Sequence, residues 1–166
     1  MLKPILTFGA VSGAIIIASI IGTIELNVPY QWLGYLIMLI ALSAIYIAMQ
    51  QYRDEVLGGS LSFLQGMQLG LGISAMATVM YVLGWELYLA ITDFAFAESY
   101  TEMMIAQQQA NGASEAEIES LRNDMAVFVE QYSNPIFRMG VTTLELFPVG
   151  VLVSLVSAGL LRKSDS

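Results

Sequence analysis

Four long apolar segments constrain most strongly what this chain can fold into. They cover about residues 5–24, 30–49, 63–91 and 136–161. A bilayer core about 30 Å thick is crossed by roughly 20 apolar residues in a helix, and every segment reaches that length. Of the 166 residues, 57% are hydrophobic and only 12% are charged. The sequence therefore predicts an all-α integral membrane four-helix bundle that forms a single membrane domain over residues 1–166.

The lysines and arginines favour one orientation of these four spans. Basic residues accumulate on the cytoplasmic side of membrane proteins. The four that would share one side of the membrane are Lys3, Arg53, Arg162 and Lys163. The two that would lie on the other side are Arg122 and Arg138. The pattern predicts that both termini are cytoplasmic.

The segment 93–134, between the third and fourth spans, holds most of the acidic residues of a chain whose net charge is −8. Gly112 predicts a helix end, and Ser114 with Glu117 predicts a capping box at the start of the next helix. Apolar residues follow a heptad pattern in both arms: Phe96, Tyr100, Met103 and Ala110 in the first, and Ile118, Leu121, Met125, Phe128 and Tyr132 in the second. We expect an acidic, antiparallel helical hairpin outside the membrane.

A series of landmarks, in order along the chain, resembles one bacterial membrane family. They are Tyr52-Arg53-Asp54, Gly58-Gly59, Phe63, Gly66, Gly70, Tyr81, Trp85-Glu86, Tyr88, Asn134-Pro135, Arg138, Glu145-Leu146-Phe147-Pro148-Val149-Gly150 and Leu160-Leu161-Arg162. The family is the domain of unknown function 4199, and the resemblance covers nearly the whole chain. It implies a four-helix, multi-pass protein of the bacterial inner (cytoplasmic) membrane. With both termini in the cytoplasm, as the basic residues predict, the hairpin would be periplasmic. The resemblance implies no activity, cofactor or partner.

Charged residues inside the apolar spans are the candidates for chemistry. A carboxylate in hydrocarbon is costly unless it is paired, hydrated or protonated. Glu86 and Glu145 both fall in the outer half of their spans, and Arg138 shares a helix face with Glu145, seven residues away. If one unbroken helix carries Glu86, Asp93 and Tyr100, Glu86 points toward the fourth helix. We therefore predict a Glu86–Arg138–Glu145 polar cluster.

Three interpretations of this cluster remain open. It is an ion pair that fixes the register of two helices, or Glu86 simply reaches headgroup water, or the acids bind a cation, a proton or a polar substrate group. Asp93 and Tyr81 are possible accessory residues. Pro148 is another, because proline frees a helix carbonyl beside Glu145.

Glycines at four-residue spacing mark faces where helices can approach closely. Gly9 and Gly13 form one such pair, and Gly66 and Gly70 form another. Small residues at this spacing promote helix contacts in lipid. We expect these faces to pack within one chain rather than between two copies.

The composition excludes some classes of function but does not identify one. The chain has no histidine and no cysteine, and it lacks the basic surface of a nucleic-acid-binding protein. We expect no cofactor and no metal site. The favoured hypothesis is a structural or accessory subunit that contacts the lipid bilayer and docks a protein partner, or a second copy, through the hairpin. The alternative is a small cation, proton or polar-solute transporter that uses Glu86 and Glu145, as an oligomer. A membrane enzyme ranks last because no catalytic constellation is present.

Overall fold

The computed structural model describes residues 1–26 and 31–162, and the regular elements in these ranges are helices. They are α1 (Leu2–Glu25), α2 (Gln31–Leu42), α3 (Ala44–Gln51), a π-helical turn (Tyr52–Val56), α4 (Phe63–Ile91), α5 (Phe96–Ala110), α6 (Glu115–Tyr132) and α7 (Pro135–Leu161). Four stretches of the described chain are long and apolar enough to cross a membrane: Leu2–Glu25, Leu33–Val56, Phe63–Ile91 and Pro135–Leu161. The prediction of four membrane-length helices in an all-α chain is therefore confirmed.

The second span differs from its predicted limits of 30–49. Its predicted first residue, Tyr30, lies outside the described residues, as does Lys163 of the orientation argument. The helical path is interrupted at Ser43, whose hydroxyl donates to the Ile40 carbonyl at 2.6 Å, and such local bonds compete with the helix. The path then continues through Tyr52–Val56. The cytoplasmic position of both termini stays a prediction.

Local signals end the second span and start α4. Gly58 and Gly59 adopt φ values of 66° and 93°, a left-handed conformation that glycine tolerates best. Ser62 then caps α4, because its hydroxyl accepts from the Gln65 backbone N–H at 3.2 Å while the Gln65 side-chain oxygen accepts from the Ser62 N–H at 3.0 Å. This reciprocal pair satisfies two backbone donors at the helix start.

The chain divides into two compact units. The bundle unit comprises Met1–Trp85 and the chain from Thr142 onward, and the hairpin unit comprises Glu86–Val141. The hairpin unit is wider than the predicted hairpin of 93–134, because it includes the last residues of α4 and the first residues of α7.

In the bundle unit, α1 packs against α4 through its two spaced glycines. A Cβ atom added to Gly9 would lie 2.5 Å from the Cβ of Met76, and one added to Gly13 would lie 2.6 Å from the Ala77 carbonyl oxygen. Only a residue without a side chain permits this approach. The predicted packing of this glycine pair within the chain is confirmed.

A seam of small residues also joins α4 to α7 in the bundle unit. Three close pairs form it: Gly66 with Ala158, Gly70 with Ser154, and Gly150 with Ser74. The Ser74 hydroxyl donates to the Gly70 carbonyl at 2.8 Å, and the Ser154 hydroxyl donates to the Gly150 carbonyl at 2.7 Å. The two hydroxyl oxygens are 3.4 Å apart. Each hydroxyl is thus satisfied inside its own helix.

In the hairpin unit, α5 and α6 are joined by a tight turn at Gly112, whose φ is 82°. The predicted capping box is present at the start of α6. The Ser114 hydroxyl accepts from the Glu117 N–H at 3.4 Å, and the Glu117 carboxylate accepts from the Ser114 N–H at 2.8 Å. These bonds fix the first turn of the second arm.

The predicted apolar seam is correct on α6 and only partly correct on α5, where the Phe96 ring lies 6.3 Å from the Tyr132 ring of α6. Ile118 and Tyr132 of α6 are buried as expected. On α5 the buried residues are Ala97 and Ile105, whereas the predicted Met103 is 48% exposed. The unbroken helix through Glu86, Asp93 and Tyr100, from which the direction of Glu86 was predicted, is wrong because α4 ends at Ile91 and α5 begins at Phe96.

Candidate functional site

Arg138 lies at the centre of a bidentate ion pair in the hairpin unit. Pro135 begins α7, and the Asn134 side-chain oxygen accepts from the Ile136 N–H at 2.9 Å, a cap that sets the first turn. One turn later, the Arg138 Nε donates to Glu86 Oε1 at 2.7 Å, and its Nη2 donates to Glu86 Oε2 at 2.6 Å. This bidentate geometry is the strongest form of carboxylate–guanidinium pairing.

The remaining surface of the guanidinium is also occupied. The Arg138 Nη1 donates to the Tyr132 carbonyl at 2.9 Å, which satisfies a backbone acceptor at the end of α6. The guanidinium carbon lies 5.0 Å from the ring centroid of Phe94 and 5.8 Å from that of Tyr132, within the range of cation–π attraction. We call Glu86, Arg138, Tyr132 and Phe94 the Arg138 clamp.

Phe94 reaches this clamp from a backbone corner between α4 and α5. Asp93 and Phe94 have φ values of 50° and 57°, and the Phe94 N–H donates to the Leu89 carbonyl at 2.8 Å. A left-handed conformation costs a non-glycine residue roughly 1–2 kcal/mol. The sequence does not indicate that Phe94 adopts this conformation. For Asp93 it indicates only that aspartate tolerates a left-handed backbone.

Burial decides the electrostatic character of the clamp. The Arg138 side chain is 4% exposed and the Glu86 side chain is 17% exposed. At this depth, removing one partner leaves an uncompensated charge, and such losses cost about 3–5 kcal/mol. The geometry is that of an ion pair that joins the end of α4 to the start of α7. Whether the pair also performs chemistry stays a prediction.

Glu145 makes its polar contact in the bundle unit. The Tyr81 hydroxyl donates to Glu145 Oε2 at 3.0 Å. Tyr81 is 3% exposed, whereas Glu145 lies on the exposed surface of α7. The structure thus places two of the three predicted cluster residues in the Arg138 clamp, and it gives the third a tyrosine partner.

The accessory candidates occupy different positions. Tyr81 is the partner of Glu145. Asp93 is exposed at the α4–α5 corner. Pro148 lies inside α7, three residues after Glu145, and is exposed. Among the described residues, no three carboxylates stand close enough together to hold a metal ion.

Comparison with known proteins places the chain in one family. No curated protein and no solved structure matches it. A family model with the description "Protein of unknown function (DUF4199)" matches residues 7–163, which is nearly the whole chain. The chain is a member of this family of proteins of unknown function.

Proposed function

We propose that this protein is an accessory subunit of the bacterial inner membrane. Its four spans anchor it with both termini in the cytoplasm, and its α5–α6 hairpin docks a protein partner in the periplasm. The observation that carries this proposal is the Arg138 clamp. The clamp ties the C-terminal end of α6 to α4 and α7, so it supports the base of the hairpin.

The clamp also argues against a chemical role for its own residues. Both Glu86 oxygens accept from Arg138, and the third Arg138 contact goes to a backbone carbonyl. A guanidinium with these partners has little capacity left for an anionic substrate. The Arg138 clamp therefore serves to hold the ends of α4, α6 and α7 in position.

The hairpin surface indicates the chemistry of the partner. Segment 93–134 carries eight acidic residues and one basic residue, and the exposed acidic side chains include Glu98, Glu102, Glu119, Asp124 and Glu130. Complementary charge accelerates and orients association, whereas like charges oppose it. A partner with a basic surface fits these residues better than a second copy of the same acidic hairpin does.

Site-specific photo-crosslinking in native membranes tests the docking role. A photoreactive amino acid at Val127, which is 54% exposed on α6, should capture one protein in stoichiometric yield. The matched control is the same probe at Leu160, which is 71% exposed on α7 and should give lipid adducts. Extraction in native lipid particles and mass spectrometry would identify the captured protein. If Val127 gives only monomer and lipid, the proposal fails.

One observation favours a second candidate, a small transporter for a cation, a proton or a polar solute. Glu145 lies ten residues after Pro135 in the 27-residue helix α7, and a carboxyl group at that depth is uncommon without a function. Four helices make a thin pathway, so this function requires an oligomer.

Flux into liposomes tests the transport candidate. We expect Glu145→Gln to abolish wild-type flux, while Glu130→Gln, a change to an exposed carboxylate on α6, should preserve it. Glu86→Gln is tested beside them, because the transport hypothesis places both glutamates along the path. Flux that persists unchanged in both the Glu86 and Glu145 variants would remove these acids from any transport role.

A further inference from the structure

We propose that Glu145 and Tyr81 form a proton-exchange site on the membrane-facing surface of the bundle unit. This inference does not depend on the docking role of the hairpin. It concerns a carboxyl group that the Arg138 clamp does not use.

The geometry of Tyr81 is the first argument. Tyr81 is 3% exposed in the core of the bundle unit, and its hydroxyl donates to Glu145 Oε2 at 3.0 Å. A buried phenol must find a partner for its hydroxyl. The tyrosine therefore provides a fixed donor for one carboxyl oxygen.

The surroundings of Glu145 are the second argument. Exposed apolar residues flank it on α7, with Leu144 at 72% exposure and Pro148 also exposed. In the described part of the bundle unit, no lysine or arginine forms an ion pair with Glu145. Tyr81 is the titratable group that faces Glu145 there. A carboxylate that faces hydrocarbon without a counter-ion is stabilised by taking up a proton.

The protonated carboxyl also needs an acceptor. Pro148 has no N–H, so the Leu144 carbonyl lacks its usual helical donor four residues later. That carbonyl belongs to the residue next to Glu145. The helix thus has a freed carbonyl acceptor one residue from Glu145 in the chain, in addition to the donor from Tyr81.

The interior of the bundle unit gives no continuous route for this proton. Ser74, Thr78 and Ser154 are buried, but each hydroxyl donates to a carbonyl of its own helix. Hydroxyls used in this way are poor links in a proton chain. The proton therefore moves to and from the Glu145 carboxylate at the exposed face of α7, where water or a titratable group of a second protein delivers it and accepts it.

Labelling with a hydrophobic carbodiimide tests the site. Dicyclohexylcarbodiimide adds to a protonated carboxylic acid and rearranges to a stable N-acylurea without a leaving group. The full chain in liposomes is treated, and each glutamate is quantified by peptide mass spectrometry. We expect Glu145 to be labelled at least tenfold faster than Glu86, which is occupied by Arg138. Equal or slower labelling of Glu145 would overturn the proposal.

Two further measurements distinguish a proton-exchange site at Glu145 from a carboxyl group that is merely accessible to the reagent. Tyr81→Phe removes the donor that stabilises the ionised carboxyl group of Glu145. Labelling of Glu145 in this variant should therefore persist to higher pH than in the wild type. A purely structural tyrosine would leave the pH profile unchanged, and that result would contradict the proposal. Sodium chloride should not protect Glu145, and protection by sodium but not by choline would identify a metal-cation site instead.

Discussion

Replacing Glu86 by glutamine keeps the shape of the side chain and removes the counter-ion of Arg138. The variant leaves a guanidinium that is 4% exposed with a neutral amide in place of two charge-assisted bonds of 2.7 and 2.6 Å. Breaking a buried pair in this way costs about 3–5 kcal/mol. Because the Tyr132 carbonyl and the Phe94 ring still contact Arg138, we expect the lower end, about 3 kcal/mol.

A double-mutant cycle isolates the pair itself. Arg138→Gln should cost a similar amount, since it leaves Glu86 without its partner. The double variant should lose clearly less than the two single variants together, because neither charge then remains unpaired. We expect a coupling of about 2 kcal/mol, within the range for residues in contact.

Unfolding in detergent micelles measures these free energies, and hydrogen exchange locates the effect. The amides at the end of α6, near Tyr132, should exchange faster in Glu86→Gln. The control, Glu130→Gln, changes an exposed carboxylate in the same unit and should stay within about 0.5 kcal/mol of the wild type. Additive single variants, or a Glu86 variant as stable as the control, would refute the role of the clamp.

Two other predictions concern packing and capping. Gly150→Ala places a Cβ 2.5 Å from the Ser74 hydroxyl oxygen and should lower the free energy of unfolding by about 1–3 kcal/mol; Gly159→Ala on the same helix meets nothing within 4 Å and should gain up to about 1 kcal/mol. If the two variants have the same free energy of unfolding, the small-residue seam does not limit how closely α4 and α7 approach each other. Hydrogen bonds from the Ser114 N–H and hydroxyl hold the pKa of Glu117 below its usual 4.5. The stabilising effect of this cap is therefore fully present above that value and is lost as the pH falls through the lowered pKa; hydrogen exchange at the start of α6 should show the loss, and Ser114→Ala should remove it.

Features that depend on local chemistry were predictable from the sequence. The four spans follow from apolar length alone. The Ser114 capping box follows from a four-residue motif, and the pairing of Glu86 with Arg138 follows from the need of a charged group in an apolar span for a partner. In each case the residues that determine the structure are close in the chain, or are constrained by the bilayer.

Features that depend on tertiary geometry were not predictable. The prediction of one unbroken helix through Glu86, Asp93 and Tyr100 was wrong because Asp93 and Phe94 turn the backbone into a left-handed corner, and no residue there has a strong preference for one. The pairing of Tyr81 with Glu145 required the α4–α7 register, which small residues set by close contact. The cation–π contact between Phe94 and Arg138 depended on the same unpredicted corner.

The α4–α7 seam has a consequence for which residues the chain can accept. Its serine hydroxyls bond within their own helices, so little directional bonding crosses between the two helices. Positions such as Gly66 and Gly70 therefore select residues by volume. At Gly66 and Gly70 even the methyl group of alanine would lie only 2.9 Å from the Ala158 Cβ and 2.6 Å from the Ser154 hydroxyl oxygen, so one added carbon atom is enough to force the two helices apart.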